Sequence, residues 1–222
     1  MVNSISPNMT IISDEYMTVE YRRSWGMQAE YDKFWDKFQN FGNRTNYRYA
    51  FYSVNSAAWD DTSYNPKYPI ICDTNSSSAD SMFYGAMITD TKVDIDISNA
   101  SGSYTFINCS NLKTIRKLTV SEKTKFNRWF EGCTALENIV FEGLIANDIN
   151  LQWSTKLTWD SFLSVYDCAY NGAGMTGNNF TVTFARALIN RLFETSPGAN
   201  DGESSPTWEV YEGMALFTIA LV

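Results

Sequence analysis

The sequence predicts an α/β fold: a short repeat solenoid with a parallel sheet, an N-terminal capping helix and a C-terminal α/β cap. Three observations carry this reading. Phe106-Ile-Asn-Cys109-Ser-Asn-Leu112-Lys-Thr-Ile115 is followed by Phe130-Glu-Gly-Cys133-Thr-Ala-Leu136-Glu-Asn-Ile139, so F-x2-C-x2-L-x2-I recurs at an offset of 24 residues with all positions in step. A degenerate earlier copy begins at Phe83, with Ala86 in the cysteine place. A period in the twenties marks repeats that stack turn on turn. Upstream, one amphipathic stripe reads as a helix, and downstream strand and helix patterns alternate to the last residue.

Residues 1–27 read as an N-terminal arm, either a flexible leader or an attachment arm that orders on a partner. Residues 28–80 read as a helical and aromatic cap. Tyr31, Phe34, Trp35 and Phe38 fall at i, i+3, i+4 and i+7, and Gly42 stands where a left-handed cap would end the helix. Tyr47, Tyr49 and Phe51 alternate as a strand does, and Trp59 to Pro69 is a loop broken by Pro66 and Pro69.

Residues 81–222 read as the solenoid with its C-terminal cap. Lys92–Ser98 alternates apolar and acidic residues, which predicts a strand with Asp94 and Asp96 on one face. Ile115–Val120 and Ile139–Phe141 are strand candidates that stacking would place in one parallel sheet. The period fades after Glu142. Ile149–Trp153 is a further short strand, and Thr158 is placed to cap a helix through Phe162, Leu163, Val165 and Tyr166. Asn171–Asn179 reads as a glycine-rich loop; it lacks the Gly-Lys-Ser/Thr of a phosphate-binding loop. Then follow a strand at Phe180–Phe184, a helix at Ala185–Phe193, a loop at Ser196–Pro206, a helical turn at Trp208–Met214 and a final strand at Leu216–Val222, closing the array.

Composition narrows the chemistry. The chain has 222 residues, a net charge of −8 and no run of basic residues, which disfavours nucleic acid and anionic membrane. There is no histidine, so Ser-His and Cys-His couples and the commonest zinc ligand are missing. The four cysteines form no C-x2-C pair, and no zinc knuckle or EF-hand loop is present. Cys109 and Cys133 hold equivalent repeat positions, which predicts stacked, buried thiols; a disulfide between neighbouring coils is the alternative. No basic start with an apolar run marks a signal peptide, and no stretch reaches membrane-spanning length. No catalytic residue, metal or cofactor is expected. Carboxylate pairs such as Asp94/Asp96 or Asp60/Asp61 would be needed for glycoside hydrolysis, but neighbouring acids do not by themselves span a cleft.

The repeat resembles the BspA-like leucine-rich repeats of gut-bacterial surface proteins and of their phages. The flanking pieces Glu30-Tyr-Asp-Lys-Phe-Trp-Asp36, Phe41-Gly-Asn-Arg-Thr45, Pro66-Lys-Tyr68, Met82-Phe83 and Leu136-Glu-Asn-Ile-Val-Phe-Glu-Gly143 look like the layout of prophage-encoded repeat proteins of gut Firmicutes. The resemblance spans roughly residues 28–165. It implies a leucine-rich-repeat solenoid and a non-enzymatic virion protein of tail, baseplate, head decoration or fibre, with a bacterial cell-surface adhesin as the alternative and a carboxylate-based glycan hydrolase third. The expected partners are other virion proteins through the N-terminal arm, a host cell-surface glycan or protein, and further copies of the chain in a homo-oligomer. Trp59, Tyr64, Trp153, Asn171, Asn178 and Asn179 are the candidate ligand-binding residues, because aromatic platforms beside amides suit sugar faces.

Overall fold

The computed structural model describes residues 69–72, 78–194 and 207–222. The expected arm at 1–27, helix at 28–41, strand at 47–51 and loop at 196–206, and the 59–69 loop except Pro69, lie outside the described residues. The described chain is mixed α/β with parallel strands in two sheets. Strands β1 (Ile70–Ile71), β2 (Ile95–Asp96), β3 (Thr114–Val120) and β4 (Asn138–Gly143) form a four-stranded sheet in chain order. Strands β5 (Ile149–Leu151), β6 (Thr181–Phe184) and β7 (Thr218–Leu221) form a second, also in chain order. Three helices follow β5: α1 (Trp159–Thr176), α2 (Arg186–Glu194) and α3 (Trp208–Met214). The C-terminal strand therefore does not close the repeat sheet as expected; it is the edge of a separate sheet whose middle strand is β6.

The sequence period is the period of the first sheet. Ile70 pairs with Ile95, Ile95 with Leu118, and Ile115 with Ile139, so neighbouring strands lie 23–25 residues apart along the chain. The repeated phenylalanines stack. Phe83 and Phe106 have ring centroids 5.3 Å apart at 8°, and Phe106 and Phe130 are 5.9 Å apart at 7°. Leu112, Leu136, Ile115 and Ile139 are buried beside them. Each repeat also contains two residues with left-handed backbone at matching places: Ser81 and Gly85, Tyr104 and Asn108, Arg128 and Gly132. In the first two repeats these residues donate their N–H groups to the next repeat: Ser81 to Ser103 O, Gly85 to Ile107 O, Tyr104 to Asn127 O and Asn108 to Glu131 O, all at 2.7–2.9 Å. Left-handed backbone is costly for a residue with a Cβ, and here the turn aims a donor along the stacking direction in return.

All four cysteines are free and buried. The Cys109 thiol donates to Phe83 O at 2.9 Å and the Cys133 thiol to Phe106 O at 3.1 Å, so each ties its repeat to the one before. Burial pushes the Cys133 thiol up to about 12 and the Cys168 thiol up to about 11, and it raises Cys109 well above the ordinary value as well. The folded chain holds these protons more tightly than the unfolded chain. Stability is therefore complete below the thiol pKa of the unfolded state and falls as pH rises from about 9 toward about 12. At pH 8 the native chain is expected to show no rapid reaction with Ellman's reagent, and all four thiols should react in urea. A fast native phase would contradict the buried arrangement.

Helix α1 covers the open edge of β4. Ile139 N donates to Ser161 Oγ at 3.0 Å and Phe141 N donates to Ser164 Oγ at 2.6 Å. The same hydroxyls donate back, Ser161 to Glu137 O and Ser164 to Phe141 O. Two serines one helical turn apart thus stand in for a fifth strand and remove an edge that would otherwise pair with another chain. Ser161→Ala leaves a buried strand N–H without its acceptor and is expected to cost about 1–3 kcal/mol. Urea denaturation measures it; an unchanged midpoint would mean that water enters and replaces the hydroxyl.

Thr158 caps α1 as expected, its side chain accepting from Ser161 N. The helix runs further than the sequence predicts. Asn171 to Thr176 is helical, not loop, and the helix ends at Gly177, which is left-handed with φ 65°. Two of the three glycines in that stretch lie inside the helix, where packing overrides their low propensity. Phe162, fully buried, joins α1 to the rest of the C-terminal unit, with Phe184 of β6 at 5.4 Å, Phe193 of α2 at 5.7 Å and Tyr211 of α3 at 5.5 Å.

Candidate functional site

A groove of about 320 Å³ lies where the third repeat meets the second sheet. One side is Phe126, Asn127, Arg128 and Glu131 of the repeat. The other is Asp148, β5, the turn after it, and Thr181 and Thr183 of β6.

Strand alternation sets the second side. Ile149 and Leu151 point into the core and Asn150 points out; Val182 and Phe184 point in, and Thr181 and Thr183 are half-buried. The parallel register pairs Asn150 with Thr183, so their side chains share one face. Asp148 Oδ1 accepts from Thr181 N at 2.7 Å and locks the two strands at their start.

The turn after β5 places Trp153. Asn150 Oδ1 accepts from Gln152 N at 3.0 Å, and Ser154 N donates to Leu151 O at 2.9 Å. Trp153 sits between buried Leu151 and buried Ser154, yet is itself 44% exposed. The backbone on either side of Trp153 is thus held by hydrogen bonds while the residue itself is left partly open to water beside the groove.

Across from it, Arg128 is left-handed at φ 55°. Its guanidinium grips Glu131 in a two-pronged ion pair, at 2.5 and 2.6 Å, and lies 5.6 Å from the centre of the Tyr104 ring. The hydrogen bond to Glu131 raises Arg128 above its ordinary value, and the same bond lowers Glu131. The two directions agree: both groups stay charged and engaged with each other near neutral pH.

Of the candidate residues read from the sequence, Trp153 lines the groove. Asn171 is exposed on α1, not on a loop, and Asn178 and Asn179 are exposed after the helix; none of the three lines the groove. Trp59 and Tyr64 lie outside the described residues, as do Asp60 and Asp61. Asp94 and Asp96 do not converge on a shared task. Asp94 lies 3.7 Å from Lys117 Nζ, and Asp96 Oδ1 accepts from both the N and the Oγ of Ser98. Asp90 takes a two-pronged contact from Arg116 at 3.1 and 2.7 Å. Among the described residues no cluster of three or more acidic, histidine or cysteine side chains could hold a metal ion. No helix among them is long and apolar enough to cross a membrane.

The groove also contains residues that the sequence does not single out: Asn127, Arg128, Asp148, Asn150, Gln152, Thr181 and Thr183. A partial signal exists, since Asn150, Thr181 and Thr183 are the outward positions of two strands legible from alternation. That the two strands pair, and that the repeat turn lies opposite, is not written in any local pattern. No protein-family model, curated protein or solved structure matches the chain.

Proposed function

We propose that the repeats form a short leucine-rich-repeat solenoid of the BspA-like kind, and that the chain is a non-enzymatic phage virion protein recognising a host surface through the groove around Trp153. The observation that carries the reading is Trp153, a large aromatic residue open to solvent and lining a polar groove. The acids nearest the repeats are engaged with Arg116, Lys117 and Ser98, an arrangement suited to structure more than to acid–base chemistry. The repeats act as a rigid spacer, because their regular positions are spent on the core. Residues 1–27 attach the chain to other virion proteins, further copies assemble with it, and the groove faces the host.

The virion assignment rests on the resemblance to phage-encoded repeat proteins, and mass spectrometry of purified phage particles tests it. The chain should appear in stoichiometric amounts; particles that lack it would overturn the assignment and leave the cell-surface adhesin. Recognition is tested separately by binding of the recombinant chain to host cells. Trp153→Ala should weaken that binding about tenfold without moving the unfolding midpoint, and undiminished binding would remove the groove from the reading.

A further inference from the structure

We infer that the groove takes a short, uncharged oligosaccharide, with Trp153 as the platform beneath one sugar ring. This rests on the reading of the groove as the recognition site and narrows it to one ligand class; it is independent of whether the chain is carried on a virion.

The groove sets one indole among many polar side-chain groups. The side-chain amides of Asn127 and Gln152, the Asn150 Nδ2, the second carboxylate oxygen of Asp148 and the hydroxyls of Thr181 and Thr183 have no hydrogen-bond partner among the described residues. They converge on one groove. Together they offer donors, acceptors and groups that do both. A sugar has the matching outline: a ring face of C–H groups that lies against an aromatic surface, and a rim of hydroxyls that donate and accept. A lipid chain would leave most of these polar groups without partners and so lose affinity.

Arg128 is the cation among the lining residues, and Glu131 accepts from its Nε and one Nη along one edge of the guanidinium. Asp148 adds a carboxylate. A phosphate-bearing or uronic-acid polymer would meet two carboxylates, Glu131 and Asp148, against a single cation already paired with one of them, so the site disfavours anionic glycans. The volume of about 320 Å³ is at the lower end of ligand pockets and suits about two sugar rings, with the rest of a chain outside.

Isothermal titration calorimetry of the full chain tests this with maltotetraose, chitotetraose and mannotetraose, beside tetragalacturonate as the anionic probe. At least one uncharged tetraose should bind saturably, with little dependence on salt. Trp153→Ala should weaken it about tenfold, the loss typical of a central aromatic contact. Gln152→Ala should weaken it about threefold, the loss of one hydrogen bond. Both variants should unfold at the wild-type midpoint, and Trp153→Phe, which keeps a ring, should bind better than Trp153→Ala. Preferred binding of tetragalacturonate that fades with salt would overturn the uncharged class. Failure of every tetraose in a chain that still binds host cells through Trp153 would overturn the sugar while keeping the groove as the recognition site. Binding of a tetraose that neither substitution weakens would place the sugar elsewhere and overturn the inference.

Discussion

Gly172→Ala should destabilise the chain by about 3 kcal/mol or more, the upper range for overpacking a closed interface. By helix propensity alone the change should help, since alanine is favoured over glycine by about 1 kcal/mol inside a helix. Position 172 is in the last third of α1, fully helical, and buried. A Cβ built there would stand 1.9 Å from the Ile145 carbonyl oxygen and 2.6 Å from its carbon. Ile145 in turn donates its N–H to Cys168 O at 3.0 Å, so the segment after β4 and the helix are pinned together where the Cβ would intrude. Neither backbone can yield without losing that bond. Gly174 is the internal control. It is two residues on in the same helix, and a Cβ there would meet only Leu216 Cδ1 at 3.6 Å, an ordinary contact. Gly174→Ala should therefore stabilise by about 0.5–1 kcal/mol. Urea denaturation of the pair gives opposite signs if α1 approaches Ile145 as described. Equal and positive effects would mean that the helix does not lie on that segment.

Phe106→Ala should cost about 3–5 kcal/mol, the range for deleting a large buried ring. Phe106 is the middle ring of the stack and is fully buried. It touches Phe83 below and Phe130 above, and Trp129 approaches its edge at 6.1 Å. Removing it opens a void bordered on two sides by rings fixed in neighbouring repeats, so the site cannot collapse without shifting both. Phe106→Leu keeps most of the volume and should cost less than half as much. Differential scanning calorimetry measures both. A loss for Phe106→Ala no larger than that for Phe106→Leu would mean that the three rings do not stack as one column.

These two positions differ in how legible they are. Phe106 can be read from the chain: the phenylalanine recurs with Cys, Leu and Ile in step, and the stacked rings, the buried thiols at equivalent positions and the offset of 23–25 residues between strands follow from that spacing. Thr158 as a helix cap is equally local, because its side chain serves the backbone three residues on. Gly172 is the opposite. Asn171, Gly172 and Gly174 together carry every local mark of a loop, and the stretch is helical because only a residue without a Cβ lets α1 approach Ile145. Ser161 and Ser164 likewise read as ordinary helix residues until β4 is beside them and needs acceptors.

The groove divides the same way. Trp153 is conspicuous in the sequence as a tryptophan amid amides, and it is 44% exposed where it lines the groove. Its neighbours Arg128, Glu131, Thr181 and Thr183 come from segments up to 55 residues apart, brought together by sheet pairing and by the stacking of the third repeat against the second sheet.

The sequence by itself determined the period, the identity of the stacked side chains, the α/β character and the parallel direction of the strands, because each follows from spacing along one segment. Tertiary structure alone decided that there are two sheets instead of one, that α1 replaces a missing strand at the edge of β4, and that a polar groove opens beside Trp153. The physical reason is that edge hydrogen bonds, close backbone approaches and the faces shared by paired strands are properties of two segments at once, and no local pattern in either one contains them.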